Sequence, residues 1–600
     1  MDLGFYNGFL KMTYLYKVSV GMLALSSALF GCSVANDMAD TESSSAFDSS
    51  EKLHNLANQY SEVFLTNSQA DSYFLNVQSD RHNLFLNNSP DGFSSLGDSE
   101  DEILKNLANI DPANLKSDQE RAFYFKLKEQ LEANVGVRVC NAELWSVNHM
   151  FGPHIRLSLL SEFQPVETAQ NKSDAIERWR SASGYYEQEI INLKDGLKLG
   201  YSAPKSVVNR VIKQVDALTR IPIDEHPFFS LAQRAEDPKF AAAFKQVLVD
   251  DLIPSMKRYS EFLKTDYLPK ARVELGIHAI PNGRECYMAQ YRSYTGLQRT
   301  PEQVFQLGLN AVKKNKIEIT RLGALFYQAE SFSEAVERAS EDKSQKFNSA
   351  DEMHEFYEAL VAKSKDLSAD FFYGMPSMVM EVKAIPEYEQ GSGRSAHYTP
   401  GNEERAARFA YDPTTYKSSS YASAETVTIH EGYPGHHMQI ALSQEQDTFH
   451  QIENTFMNGA FVEGWGRYAE HLAEEADIYQ YASTRILRRA WPARGMVADT
   501  GMHLLGWSNE EVADFLKESG ASFAKDPSTL MDRMAVMPAQ LTSYDSGALE
   551  IFALRELMQK ELDEGFDIKD FHEIILKNGS LPLPMLNGKV WAFIQEKKKG

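Results

Sequence analysis

Three observations predict a mainly α-helical protein. Between Glu51 and about Lys270, apolar residues recur every three or four positions, as in RAFYFKLKEQL and FKQVLVDDLIPSMKRYSEFL, the period that lines them up on one helix face. Further on, Thr300-Pro301-Glu302-Gln303, Ser349 with Glu352 and Ser508 with Glu511 each place a capping hydroxyl three residues before an acid or amide. Apolar residues are 43% and charged residues 24% of 600, with no low-complexity break after the first fifty and no evident internal repeat. Such a chain can bury a large core, and the expectation is one helical body over residues 51–600.

The N-terminus carries Lys11 and Lys17 before an apolar run from Val18 to Phe30 that ends in LFGC at Cys32. The run is too short to span a bilayer and reads as a signal peptide over residues 1–32. A cysteine after Gly31 resembles the bacterial lipoprotein cleavage box, in which that cysteine becomes the lipidated first residue. Ser33 in place of Asp fits, by the same resemblance, an outer membrane destination facing the periplasm. Translation begins at Met1 or at Met12. Residues 33–50, rich in Ser, Asp and Ala, read as a flexible tether. In an oxidising compartment Cys140 and Cys286 either pair or stay buried as thiols. The net charge of -23 opposes nucleic-acid phosphates and anionic lipid.

Pro204 and Pro254 mark helix starts or kinks, and PNGRECYMAQYRSYTG is expected to interrupt the helices with a turn at Gly283. Two extended segments are expected at Met378–Ile385 and Ala407–Tyr411. They form a small β element beside the metal motif, with Ala407–Tyr411 as the edge that a substrate backbone could join.

That motif is HEGYPGHHMQ, from His430 to Gln439. In the pattern H-E-x-x-H, histidines four apart share a helix face, reach one ion, and leave the intervening Glu to activate water. The spacing here is longer. On an unbroken helix His436 would lie roughly 240° around from His430, and His437 would align but sit roughly 10 Å further along. Pro434 and Gly435 supply the deformation that is needed, since one lacks an N–H and the other tolerates unusual backbone angles. A bulge of two residues would bring His430 and His436 together as ligands, with Glu431 as general base and His437 as the weaker choice of second ligand. Glu463, in FVEGWGRYAEH, would complete a His/His/Glu zinc site with one position open for water. Arg467 and Glu470 share its helix face and would orient the ligands, together with His437. DRMAVMPAQLTSYDSG is too polar for a core helix, and places Arg533, Gln540 and Tyr544 where a hydroxyl or guanidinium could stabilise an oxyanion. Tyr544 is the first choice, with Arg533 beside it and Gln540 in support.

HEGYPGHHMQ, FVEGWGRYAE, PAQLTSYDSG and FHEIILKNGSLPLPML, four motifs in order, together resemble the bacterial family of domain of unknown function 885, many of whose members look like lipoproteins. That family is similar to the helical gluzincin peptidases. The resemblance implies a gluzincin-like body, of one lobe or two, with a deep cleft over a site within residues 400–550. It implies His430, His436 and Glu463 as zinc ligands and Glu431 as base. Met534 stands after Arg533 where the family commonly has Tyr, which bears on substrate preference.

The expected function is a lipid-anchored zinc metallohydrolase of the cell envelope, a peptidase acting on small peptides. The alternative is a non-catalytic peptide-binding or scaffolding lipoprotein with a structural metal. A hydrolase of non-peptide amides is a third reading.

Overall fold

The computed structural model describes residues 35–599 apart from 76, 386–389, 391–395, 403–404 and 522–524. The protein is mainly α, with one three-stranded sheet among those residues. Residues 1–32, with the signal and lipidation site expected there, lie outside the described residues. A helix runs from Ala35 to Asn67, so the described part of the expected tether is helical; small and acidic residues do not bar a helix as Pro would. No helix among the described residues is long and apolar enough to cross a membrane.

The local signals act as the residues dictate. Thr300 and Ser508 form full capping boxes at the helices Pro301–Tyr327 and Asn509–Lys517, and Ser349 caps Ala350–Ser368 by accepting from the Glu352 N–H. Each such cap is worth about 1 kcal/mol. Pro204 precedes Lys205–Leu218. Pro254 follows a widened π turn, Leu248–Leu252, at the head of Ile253–Phe262; its missing N–H is absorbed where the helix register changes.

Residues 49–600 form one compact unit, within which the apolar core is divided. One cluster is drawn from residues 147–271 around Trp179, Tyr186 and Phe244. The largest gathers residues from 122 to 594 around Trp465, Tyr468 and Phe409. The expected interruption after Pro281 is instead a helix, Gly283–Thr295. Its Cys286, Tyr287 and Tyr291 are all buried, and this apolar stripe outweighs the turn signal. Cys140 and Cys286 are joined in a disulfide, which ties this helix to the short turn Arg138–Cys140.

The sheet comprises β1 (Met380–Ala384), β2 (His397–Thr399) and β3 (Ala407–Tyr411), in the order β1-β3-β2. β3 pairs in parallel with β1 and antiparallel with β2. Ala407–Tyr411 is therefore the central strand and cannot be the free edge expected of it, because its backbone groups are spent on both neighbours. Both edges, β1 through Met380 and β2 through Tyr398, lie beside the motif.

Six helices build the site: α1 (Tyr421–Glu431), α2 (His436–Gln444), α3 (Gly459–Glu475), α4 (Arg494–Leu504), α5 (Ser528–Val536) and α6 (Gln540–Leu562). α3 and α6 pack together where Gly464 lies against Gly547. The polar stretch at the head of α6 is a core helix after all, a correction with a local cause. Thr542 and Ser543 are buried but return their hydroxyls to the carbonyls of Ala539 and Gln540, which removes most of the cost of burying them.

α4 and α6 also begin alike, which reveals a short internal repeat that a search for long periods misses. PARGMVADTG and PAQLTSYDSG share the frame P-A-x5-D-[S/T]-G. Ala493 and Ala539 both adopt left-handed backbone angles, φ 67° and 69°. The Ala539 N–H donates to Asp499 at 2.9 Å, and Asp545 accepts from the backbone of Ala493.

Candidate metal centre

The HEGYPGHHMQ segment is a break between two helices rather than a bulge in one. α1 ends at Glu431, four residues turn back, and α2 starts at His436. The return is tight: a Cβ on Gly435 would lie 2.0 Å from the His430 carbonyl oxygen and 2.3 Å from that of Ile429, so only glycine fits. The Pro434 carbonyl is fixed from α3 by the indole N–H of buried Trp465 at 2.8 Å.

The break brings the two imidazoles together. Their ring centroids are 4.6 Å apart and nearly perpendicular. His430 Nε2 lies 3.3 Å, and His436 Nε2 3.6 Å, from the same Glu463 oxygen, Oε2. Potential ligand atoms of His430, His436 and Glu431 also lie within 4.8 Å of one another. The two imidazoles thus face Glu463 and Glu431 at close range, with His430 only 9% and His436 only 7% exposed.

Support comes from behind. His430 Nδ1 donates to Glu470 Oε1 at 2.9 Å, and Arg467 donates to that oxygen at 2.8 Å. A carboxylate can only accept, so Nδ1 carries a proton and Nε2 faces Glu463, the arrangement that readies a histidine for metal. A Cβ on Gly466 would meet the His430 ring at 2.5–2.9 Å, so this glycine admits the imidazole against the α3 backbone. His436 has no such support: its Nδ1 is buried without a partner.

The charges match the geometry. Burial disfavours a charged His430, yet hydrogen bonds to Glu463 and Glu470, with the charge of Glu431, raise it to about 10. Burial likewise opposes charge on Glu463, but the two histidines hold it far below the usual carboxylate range. Glu470 is lowered, against burial, mainly by Arg467 and His430. The carboxylates therefore call for positive charge at this point. N, N and O donors grouped in this way could hold a metal ion.

Glu431 is held from the sheet, where the Tyr398 N–H of β2 donates to its Oε2 at 3.0 Å. His437 turns away from the centre. It lies 3.1 Å from the Met378 carbonyl, 2.9 Å from the Tyr433 hydroxyl and 3.2 Å from that of Tyr398, and burial pushes it down to about 4. Neutral His437 thus fastens the strand that fastens Glu431. The sequence did not point to Tyr398, since a three-residue strand is too short to show alternation.

Tyr544 reaches the centre from α6, its ring 6.5 Å from that of His430. The Arg467 guanidinium stands 5.6 Å from the Tyr544 ring. Burial, then Glu463, raises the Tyr544 phenol, so it is a donor at neutral pH. Arg533, from α5, donates to Gln540 Oε1 at 2.7 Å and to the Tyr544 hydroxyl at 3.4 Å. It backs the tyrosine and does not touch the histidines among the contacts described. Of the residues singled out in sequence, His430, Glu431, His436, Glu463, Arg467, Glu470 and Tyr544 therefore gather in one place, with Arg533 and Gln540 against Tyr544 and His437 turned away.

A family profile described as "Bacterial protein of unknown function (DUF885)" matches residues 75–590. The chain belongs to this family. A crystal structure of a candidate lipoprotein from Colwellia psychrerythraea is similar, with a TM-score of 0.80 at 21% identity, over 91% of this chain and 99% of that one. A candidate lipoprotein of unknown function from Shewanella oneidensis aligns with a TM-score of 0.73 at 16% identity, over 89% and 99% of the two chains. At these identities the likeness establishes the fold of this DUF885 member. No curated protein matches it.

Proposed function

We propose that the protein is a zinc-dependent hydrolase of the cell envelope, a peptidase allied to the helical gluzincins. The observation that carries this reading is the convergence of His430 Nε2 and His436 Nε2 on one oxygen of Glu463, with Glu431 alongside. His430, His436 and Glu463 would hold the ion. Bound there, zinc supplies Lewis acidity, which acidifies water and polarises a carbonyl.

The chain's own groups do the rest. Glu431, fixed by the Tyr398 N–H, takes a proton from the attacking water and delivers it to the departing amine nitrogen as the C–N bond breaks. Tyr544, still protonated at neutral pH, donates its O–H to the oxyanion that forms when water adds to the carbonyl. Glu470 and Arg467 keep the His430 ring aimed. A half-buried base beside the ligands favours turnover over a purely structural metal, which has no use for one. Lipidation at Cys32 would anchor the protein at the outer membrane facing the periplasm, a reading supported by the candidate lipoproteins that share its fold.

The test is metal content and peptide cleavage in wild type and Glu431→Gln. The variant should keep zinc and lose at least about a hundredfold in rate, the scale of a lost general base. Full activity with zinc bound removes Glu431 from the mechanism.

A further inference from the structure

Many arginines in this acidic chain are matched in one of two ways. Arg467, Arg494 and Arg292 pair with carboxylates. Arg178, Arg234 and Arg272 have no such pair and spend N–H groups on backbone carbonyls instead. Arg533 does neither. Its hydrogen bonds go to Gln540 and the Tyr544 hydroxyl through Nη2 alone, its Nε is buried without a partner, and no carboxylate lies within ion-pair distance among the described residues. Asp499 feels its charge but is engaged with the Tyr287 hydroxyl and the Ala539 N–H. A half-buried guanidinium left this way is costly, and its planar fork suits a carboxylate.

Its position says which carboxylate. Tyr544 has its ring 6.5 Å from that of His430 and its hydroxyl 3.4 Å from Arg533, so a single tyrosine bridges the ligands and the guanidinium. A bridge of that kind spans on the order of one or two residues of extended chain, at roughly 3.3–3.6 Å each. We propose that Arg533 binds the C-terminal carboxylate of a peptide whose scissile carbonyl lies at His430, His436 and Glu463, so that the site trims chains from their C-terminal end. This rests on the hydrolase reading above. Tyr544 then lies between the two anchored points of the substrate, and Gln540 sets the angle of the guanidinium.

The experiment uses zinc-loaded mature protein and an equimolar set of acetylated tetrapeptides of varied sequence, each with a free C-terminal carboxylate or a carboxamide. Binding is read by competition, and products by mass spectrometry. Wild type should bind acids roughly 10- to 100-fold tighter than amides, the scale of a charged hydrogen bond, and release only the last one or two residues. Arg533→Gln should bring that ratio to about 1 with zinc content unchanged, and Arg533→Lys should restore part of it. Equal binding of acids and amides by wild type, no binding of any peptide, or an unchanged ratio in Arg533→Gln overturns the assignment. The wild-type comparison decides alone if the variants do not fold. Carboxylate-dependent binding without any product would sink the hydrolase reading and leave Arg533 in place; equal cleavage of both forms would do the reverse.

Discussion

Replacing Gly466 by alanine tests the centre at its tightest point. The added Cβ would sit 2.5 Å from His430 Cε1 and 2.7 Å from Nε2, where ordinary contact begins near 3.4 Å. The ring must retreat by about 1 Å (3.4 minus 2.5), yet metal–ligand distances tolerate only about 0.2 Å. Retreat also strains the bond to Glu470. Overpacking of this kind costs about 1–3 kcal/mol of stability, and misplacing a ligand costs at least the 10–100-fold in affinity typical of losing a ligand's support. Zinc affinity is measured by competition with a chromophoric chelator, and stability by denaturant titration. Gly184→Ala is the control: it lies in the helix Ala169–Leu199 with nothing within 4 Å of the new Cβ, so it should gain up to about 1 kcal/mol and bind zinc as before. Gly466→Ala with zinc affinity within twofold of wild type would refute the placement of His430.

Glu470→Gln should weaken zinc binding by about 10–100-fold, because an amide neither charges nor orients Nδ1 as the carboxylate does; unchanged affinity shows that Glu470 is a bystander. Burial lowers His154 and His226 to about 4, and His503 and His572 to about 3. Below about 6.5 the unfolded chain therefore binds more protons at these positions, and their contribution to stability falls as pH drops from 6.5 toward 4. Denaturant midpoints at pH 7, 6 and 5 measure this, and a flat profile contradicts it. Removing the Cys140–Cys286 disulfide, with its sequence separation of 146, should cost up to about 5 kcal/mol by loop entropy; a Cys140→Ala, Cys286→Ala variant of wild-type stability would say that the reduced chain is held by other means.

Much of the site was legible because its residues sit at fixed steps along single elements. Glu463, Arg467 and Glu470 follow helical spacing on α3, and Pro434-Gly435 announces that α1 cannot run on into α2. Chain folding at a distance was not legible. The central place of β3 depends on a partner strand of three residues, too short to declare itself. The two-residue bulge already favoured His436 over His437, but what His437 does instead came into view only with Tyr433, Tyr398 and the Met378 carbonyl. The head of α6 looked too polar to be buried because hydroxyls that return to their own helix cannot be told, in sequence, from hydroxyls that need solvent. The aromatic stripe of Gly283–Thr295 was hidden behind a turn signal.

The matched starts of α4 and α6 have a consequence for how the centre comes into being. Each helix leaves its first turn unfinished, and the acid that completes it belongs to the other, so neither has an entrance of its own and the two must be ordered as a couple. Asp545 also faces the charge of Arg467, whose hydrogen bond to Glu470 in turn steers His430. The docking of two helices is thereby written into the aim of one imidazole, and a change at Ala493, far along the chain from any ligand, would be felt there.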